Sequence, residues 1–202
     1  VIMINFGSVN ISQKTKALMR KALNEDKIGQ SEYIAEFEAK FAHFLGVKHC
    51  ILTCNGTMAD TIALAVLKNL NPDKKKVLLP ALTFIAQVNS VYYNQLEPVF
   101  YDADEKIKVS DDLLCIFPVH SLGIPSDILR QKWNIPVVED ACATTLLALV
   151  QATTLPTTNA CVVFLLNGVA ALLSVAPEPP TWRNAIFFTT PDYFNCSAIS
   201  SS

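Results

Sequence analysis

Residues 135–143 read IPVVEDACA, and the fold turns on how that stretch is taken. A proline precedes two β-branched residues, two carboxylates and then small residues. This is the pattern of a buried parallel strand that delivers an acid at its carboxyl end. Open α/β sheets bind ligands at that end. An aspartate walled in there by apolar neighbours is costly to bury unless a cation, such as a protonated ring nitrogen, meets it. Taken alone, the plainer account is a strand ending in a solvated turn with Asp140 capping the next helix, so the rest of the chain has to decide.

Working outward, strands and helices alternate on both sides of this stretch. Upstream, residues 12–24 carry Leu18, Met19, Ala22 and Leu23 at helical spacing among lysines, which predicts a surface helix. A second helix over 31–45 has Ile34, Phe37, Phe41 and Phe44 as a core stripe, with Gly46 as its C-cap. Residues 49–53 read as a strand with Cys50 and Cys54 as core residues of one face, followed by the tight turn Cys54-Asn55-Gly56. The next helix starts at Thr57, with Asp60 as a capping partner and Met58, Ile62, Ala65, Val66 and Leu70 as its apolar face. Free N–H groups and a hydroxyl at such a helix start suit a phosphate. Strands follow at 77–80, 96–101 and 113–117, a helix at 81–94 with Phe84, Val88 and Val91 turned inward, and a short helix near 126–132. The alternation predicts an α/β fold with a mostly parallel sheet and helices on both faces, hence three layers.

Composition narrows the function classes. The 202 residues carry 16 Lys+Arg against 18 Asp+Glu, a net charge of -2, which gives neither a nucleic-acid nor a membrane signature. Six scattered cysteines without a CxxC, and histidines only at 43, 49 and 120, argue against a metal site. The acidic pair Asp102 and Asp104 reads as an exposed turn beside Glu105 and Lys106. No signal peptide opens the chain, so a cytoplasmic location is expected.

Five motifs stand in a fixed order: NGT at 55–57, PALTFIAQVNSV at 80–91, EPVFYDAD at 97–104, PVHSLG at 118–123 and VVEDAC at 137–142. The series resembles the DegT/DnrJ/EryC1/StrS family of PLP-dependent nucleotide-sugar aminotransferases over residues 5–142. The resemblance implies part of the large domain of a fold-type I PLP enzyme, with pyridoxal 5'-phosphate as cofactor, a nucleotide-linked keto sugar and glutamate as substrates, and a homodimer. It assigns Gly56, Thr57 and Met58 to the cofactor phosphate, Phe84 to the pyridine face and Asp140 to the ring nitrogen.

Two positions depart from the family pattern. Ala143 replaces the polar residue that meets the phenolic oxygen, and the Schiff-base lysine has no counterpart, because no lysine follows Lys132 and no histidine follows His120. No catalytic residue is therefore assigned. A non-catalytic PLP- or phosphate-binding or interaction module is the alternative. The chain divides into a partial PLP-binding domain, 1–143, and an apolar tail, 144–202, in which no Asp, Glu, Lys or Arg occurs from 141 through 177. The tail is expected to be out of frame or spliced. Residues 160–176 are too short and too interrupted for a membrane helix, and 161–166 read alternatively as a further strand of the same sheet.

Overall fold

The computed structural model describes residues 11–29, 31–45, 49–102, 107–121, 124–130, 133–141, 160–163, 172–175 and 187–189. Gly46, Asp104, Gly123, Cys142 and Ala143, named above, lie outside them.

The described residues form four α-helices and eight strands, and strands and helices alternate from β1 to β3 as expected. Helix α1 (Gln13–Asn24) starts where the Ser12 hydroxyl accepts the Thr15 N–H at 3.1 Å, and it buries no residue. Helix α2 (Glu32–Leu45) sets Phe37 and Phe41 in a stack with centroids 5.6 Å apart, and only Phe41 of that pair is fully buried. Its Glu38 carboxylate accepts the Leu52 N–H at 2.7 Å, which ties α2 to strand β1 (Ile51–Thr53). Of the two nearby cysteines Cys50 is buried, but Cys54 lies past the strand end and is exposed.

The main sheet has the order β3-β2-β4-β5-β6-β7, formed by β2 (Lys76–Pro80), β3 (Glu97–Tyr101), β4 (Leu113–Ile116), β5 (Val137–Asp140), β6 (Ala160–Val163) and β7 (Leu172–Val175). All neighbours are parallel except β6 and β7, which run antiparallel. Strand β1 pairs in parallel with β8 (Phe187–Thr189) as a separate two-stranded sheet. Strands β6 and β7 come from the apolar tail, and Val137 to Asp140 face Ala160 to Val163 in register, so β5 is an interior strand. The main chain of an interior strand is satisfied on both edges, which permits the full burial seen from Val137 through Asp140.

Strand parity gives the sheet two different faces. Leu78, Ile116 and Val137 pack in a cluster with Ile128 and Leu129 of the 3-10 turn Asp127–Arg130. The opposite face is covered by helices α3 (Gly56–Leu70) and α4 (Ile85–Tyr93), with Val77 and Leu79 buried beneath them. Apolar area hidden from water contributes about 25 cal/mol per Å², so this double cover is the main source of the domain's stability.

Candidate cofactor site

The two carboxylates of β5 part company. Successive side chains of a strand point to opposite faces. Val137 belongs to the cluster around the 3-10 turn, so Glu139 shares that face, and Val138 and Asp140 look toward α3. Both carboxylates are buried, at 0% and 4% exposure. Past β4 the chain at Val119 bridges β5 once more at Asp140. There the Asp140 N–H donates to the Pro118 carbonyl and the His120 N–H to the Asp140 carbonyl, each at 2.9 Å. The main chain that carries Asp140 is thus held on the β4 side up to its last peptide.

Helix α3 leaves the carboxyl end of β1 and packs against β4 and β6, the two strands that flank β5. Its cap is Asn55, whose side-chain oxygen accepts the Met58 N–H at 2.8 Å, not the expected Thr57 with Asp60. Asp60 instead faces inward at 1% exposure, on a stripe with Gly56, Ala59, Ala63 and Leu64. Met58 and Leu70, expected on the buried face, are 39% and 41% exposed. Small residues on that stripe bring the helix close to the sheet, while the bulkier set lies one step around the helix.

Each residue expected to hold a ligand has a definite place. Gly56 is buried and Thr57 half-buried in the first turn of α3, where N–H groups lack helical partners. The Met58 N–H is engaged by Asn55, which leaves Gly56 and Thr57 as the first-turn N–H groups without a cap. Phe84 is 70% exposed at the start of α4, so the expectation that it packs inward is corrected: it precedes the helix in an extended conformation and stands clear of the buried face. That face consists of Gln87, Ser90 and Val91.

Hydroxyls stitch the two helix starts together. The Thr57 carbonyl accepts from Thr61 Oγ1 at 2.6 Å and from Ser90 Oγ at 3.2 Å, and Ser90 Oγ also reaches the Ala86 carbonyl at 2.8 Å. Asn94 Nδ2 adds bonds to the carbonyls of Thr61 and Ser90, both at 2.9 Å. Thr57 and the residues beside Phe84 are therefore held at a fixed separation.

Three buried polar side chains have a role that sequence reasoning did not give them, Asp60 having been read as a cap. Among the described residues, Asp60 Oδ1, Gln87 Nε2 and Glu139 Oε1 are buried without a hydrogen-bond partner. Burial, and after it the charge of Asp140, pushes the Asp60 carboxyl well above the usual range. Glu139 is raised by burial, with His120 opposing. Among the described residues no group of three or more His, Cys, Asp or Glu is arranged to hold a metal ion, and no helix is long and apolar enough to cross a membrane.

A mostly parallel sheet with one antiparallel strand, helices α3 and α4 on one face and an acid at the carboxyl end of an interior strand matches the large domain of the fold-type I transferases. Residues 9–151 match the DegT/DnrJ/EryC1/StrS aminotransferase family, and the chain belongs to that family. The GDP-perosamine synthase of Escherichia coli O157:H7 is 31% identical over 150 residues, covering 66% of this chain and 40% of that relative. The GDP-perosamine synthase of Caulobacter vibrioides is 35% identical over 124 residues, covering 54% of this chain and 33% of that relative. The chain thus spans well under half the length of these curated relatives. Among solved structures, the sugar aminotransferase CalS13 from Micromonospora echinospora superposes with a TM-score of 0.63 at 21% identity, over 80% of this chain and 49% of that one. The GDP-4-keto-6-deoxy-D-mannose-3-dehydratase of E. coli, solved with bound hydrated PLP, gives 0.62 at 21% identity, over 72% and 43%.

Proposed function

We propose that this chain is the cofactor-binding part of a PLP-dependent sugar aminotransferase, and that its residues cradle pyridoxal 5'-phosphate. The observation that supports this most is the burial of Asp140 at the carboxyl end of β5, on the face where α3 begins. A buried carboxylate at a strand's carboxyl end suits a cationic ligand group, and a pyridinium N–H is one. The donor set suits the rest of the molecule. Gly56 and Thr57 would take the phosphate at the positive end of α3, and the exposed ring of Phe84 is free to cover a flat heterocycle. Asp140 would hold the proton on the ring nitrogen. When bound, the cofactor supplies the electron sink for amino-group transfer.

The family relation points to a nucleotide-linked keto sugar as acceptor and glutamate as donor, in a cytoplasmic homodimer. Residues 1–143 would form the cofactor domain and 144–202 an atypical extension. The covalent step needs an amine that residues 133–202 of this chain do not contain. That absence, with Ala143 where the family places a polar residue, favours a second reading, a PLP- or phosphate-binding module without catalysis.

Titration with PLP followed by absorbance and by equilibrium dialysis tests both. Saturable binding that Asp140→Ala abolishes and Thr57→Ala weakens by about tenfold supports the cradle. Borohydride reduction then separates the readings: a label fixed on a lysine marks the enzyme, and label lost on dialysis marks the module. Binding that is indifferent to both substitutions overturns the proposal.

A further inference from the structure

Asp60 is a buried acid that the proposed site does not use. It lies one turn into α3, on the stripe that packs over β4 and β6, and β5 runs between those strands. Parity turns Asp140 to the same side. Both residues are almost completely withdrawn from water, and Asp60 Oδ1 has no partner. An ionised carboxylate with a bare oxygen in such a place is strongly disfavoured, and a second carboxylate on the same side of the sheet makes it more so. The burial of Asp60 and the Asp140 charge both act to keep a proton on Asp60.

Among the described residues, the elements packed most closely on α3 bring no other acid or base to this role. The elements packed on α3 read IAQVNSVYY for α4, ILT for β1, LLCI for β4, ACVV for β6 and FFT for β8. They bring no further carboxyl, lysine, arginine or histidine; their ionisable groups are cysteines 115 and 161 and the exposed Tyr92 and Tyr93. An apolar residue at position 60 would avoid the burial cost altogether. An acid that weakens the fold and stands beside the acid of a binding site is a mark of function.

We propose that Asp60 is a positioning residue for Asp140: the two buried carboxyls share one proton, carried by Asp60, which fixes Asp140 as the single anion offered to the cofactor's ring nitrogen. This rests on the reading of the site as a PLP cradle. It does not move the phosphate contacts, and Asp60 itself need not touch the ligand.

The experiment has two arms. In the first, urea unfolding of the ligand-free full chain is followed from about pH 4 to about pH 8 for the wild type, Asp60→Asn, Asp60→Leu and Asp140→Asn. A carboxyl whose folded pKa is raised contributes stability that is complete below its unfolded pKa and is lost as pH rises through the folded value. The wild type should lose stability on that rise, both Asp60 variants should lose less, and Asp140→Asn should move the Asp60 portion of the decline to lower pH. In the second arm PLP affinity is measured. Asp60→Asn, which keeps a neutral donor in place, should stay within about threefold of the wild type, and Asp60→Leu should bind at least about tenfold more weakly while folding at least as stably. A wild-type slope unchanged in both Asp60 variants overturns the shared proton, and wild-type affinity in Asp60→Leu overturns the positioning role. A wild type that binds no PLP overturns the cofactor reading, and the first arm identifies that case because it contains no ligand.

Discussion

His120 Nε2 stands 3.3 Å from Glu139 Oε2, and both side chains are withdrawn completely from solvent. The other ring nitrogen, Nδ1, accepts the Ser126 N–H at 3.3 Å, so the proton of a neutral imidazole resides on Nε2 and is donated to Glu139. The pair joins the end of β4 to β5 and to the start of the 3-10 turn, on the face away from Asp140. Its work is to hold the strand that presents the site. Removing His120 leaves a buried carboxyl with neither oxygen partnered. His120→Ala should therefore cost on the order of 3 kcal/mol in urea unfolding, and a loss under about 1 kcal/mol would mean the pair is not holding these segments.

Burial also raises the Glu139 pKa, and the sign of its linkage follows. Its contribution to stability is complete below the ordinary glutamate range and is lost as pH rises through the raised value. Glu139→Gln should flatten the decline across that window while leaving the low-pH stability close to that of the wild type. Denaturation midpoints at a series of pH values read this directly, and a slope as steep as the wild type's would remove Glu139 as its source.

Asn55 separates the helix cap from the phosphate cradle. Its side chain accepts the Met58 N–H at 2.8 Å, and Asn55→Ala should cost about 1 kcal/mol for the lost cap. Asn55→Asp keeps an equivalent acceptor, so stability should hold. The added negative charge would face an incoming phosphate at the same helix end, and PLP affinity should fall by about tenfold. Calorimetry of the two variants with and without PLP checks the split. Equal loss of stability and affinity in both would place the phosphate elsewhere.

The mostly parallel α/β character and the acid at the end of β5 were legible because they follow from local rules. Proline, β-branched residues and a carboxylate in sequence announce a buried strand end, and β5 runs Val137–Asp140 as read from residues 135–143. The phase of α3 was not legible. Bulky residues such as Met58 and Leu70 suggested one apolar face, but close packing on a sheet selects small ones, and Gly56, Ala59 and Ala63 draw Asp60 inward with them. Helix α4 slips in the same manner: Val88 and Phe84 looked like core, yet Gln87 and Ser90 are buried, Ser90 beside the Thr57 carbonyl and the Thr61 hydroxyl of α3. Contacts with a partner helix set these phases, and no pattern within one helix contains them. A buried Asp in an otherwise apolar helix was the available signal, and it was read as a cap. The alternative strand at 161–166 has a counterpart in β6 at Ala160–Val163, parallel to β5.

The link between the two helix starts makes a testable coupling. Thr61 Oγ1 donates to the Thr57 carbonyl at 2.6 Å, and Ser90 Oγ, whose single proton is divided between that carbonyl at 3.2 Å and the Ala86 carbonyl at 2.8 Å, is 3.3 Å from Thr61 Oγ1. Either alanine substitution should cost about 1 kcal/mol. Because they share an acceptor, the double variant should depart from the sum by at least about 0.5 kcal/mol in a double-mutant cycle. Strict additivity would show that the two hydroxyls act independently.

Phe84 and Leu64 make a final contrast between a side chain kept for a ligand and one kept for the fold. Leu64 is completely buried on α3, and Leu64→Ala should cost roughly 2–5 kcal/mol through lost transfer energy and the cavity left behind. Phe84 is 70% exposed and begins α4 without a side-chain cap bond, so Phe84→Ala should change stability by less than about 0.5 kcal/mol. A flat ring stacked on Phe84 would lose that contact, and PLP affinity should fall by about threefold to tenfold. Phe84→Tyr should restore it. Thermal melts and PLP titrations on the three variants decide the matter, and a Phe84→Ala protein that binds PLP as tightly as the wild type would detach the ring from the site.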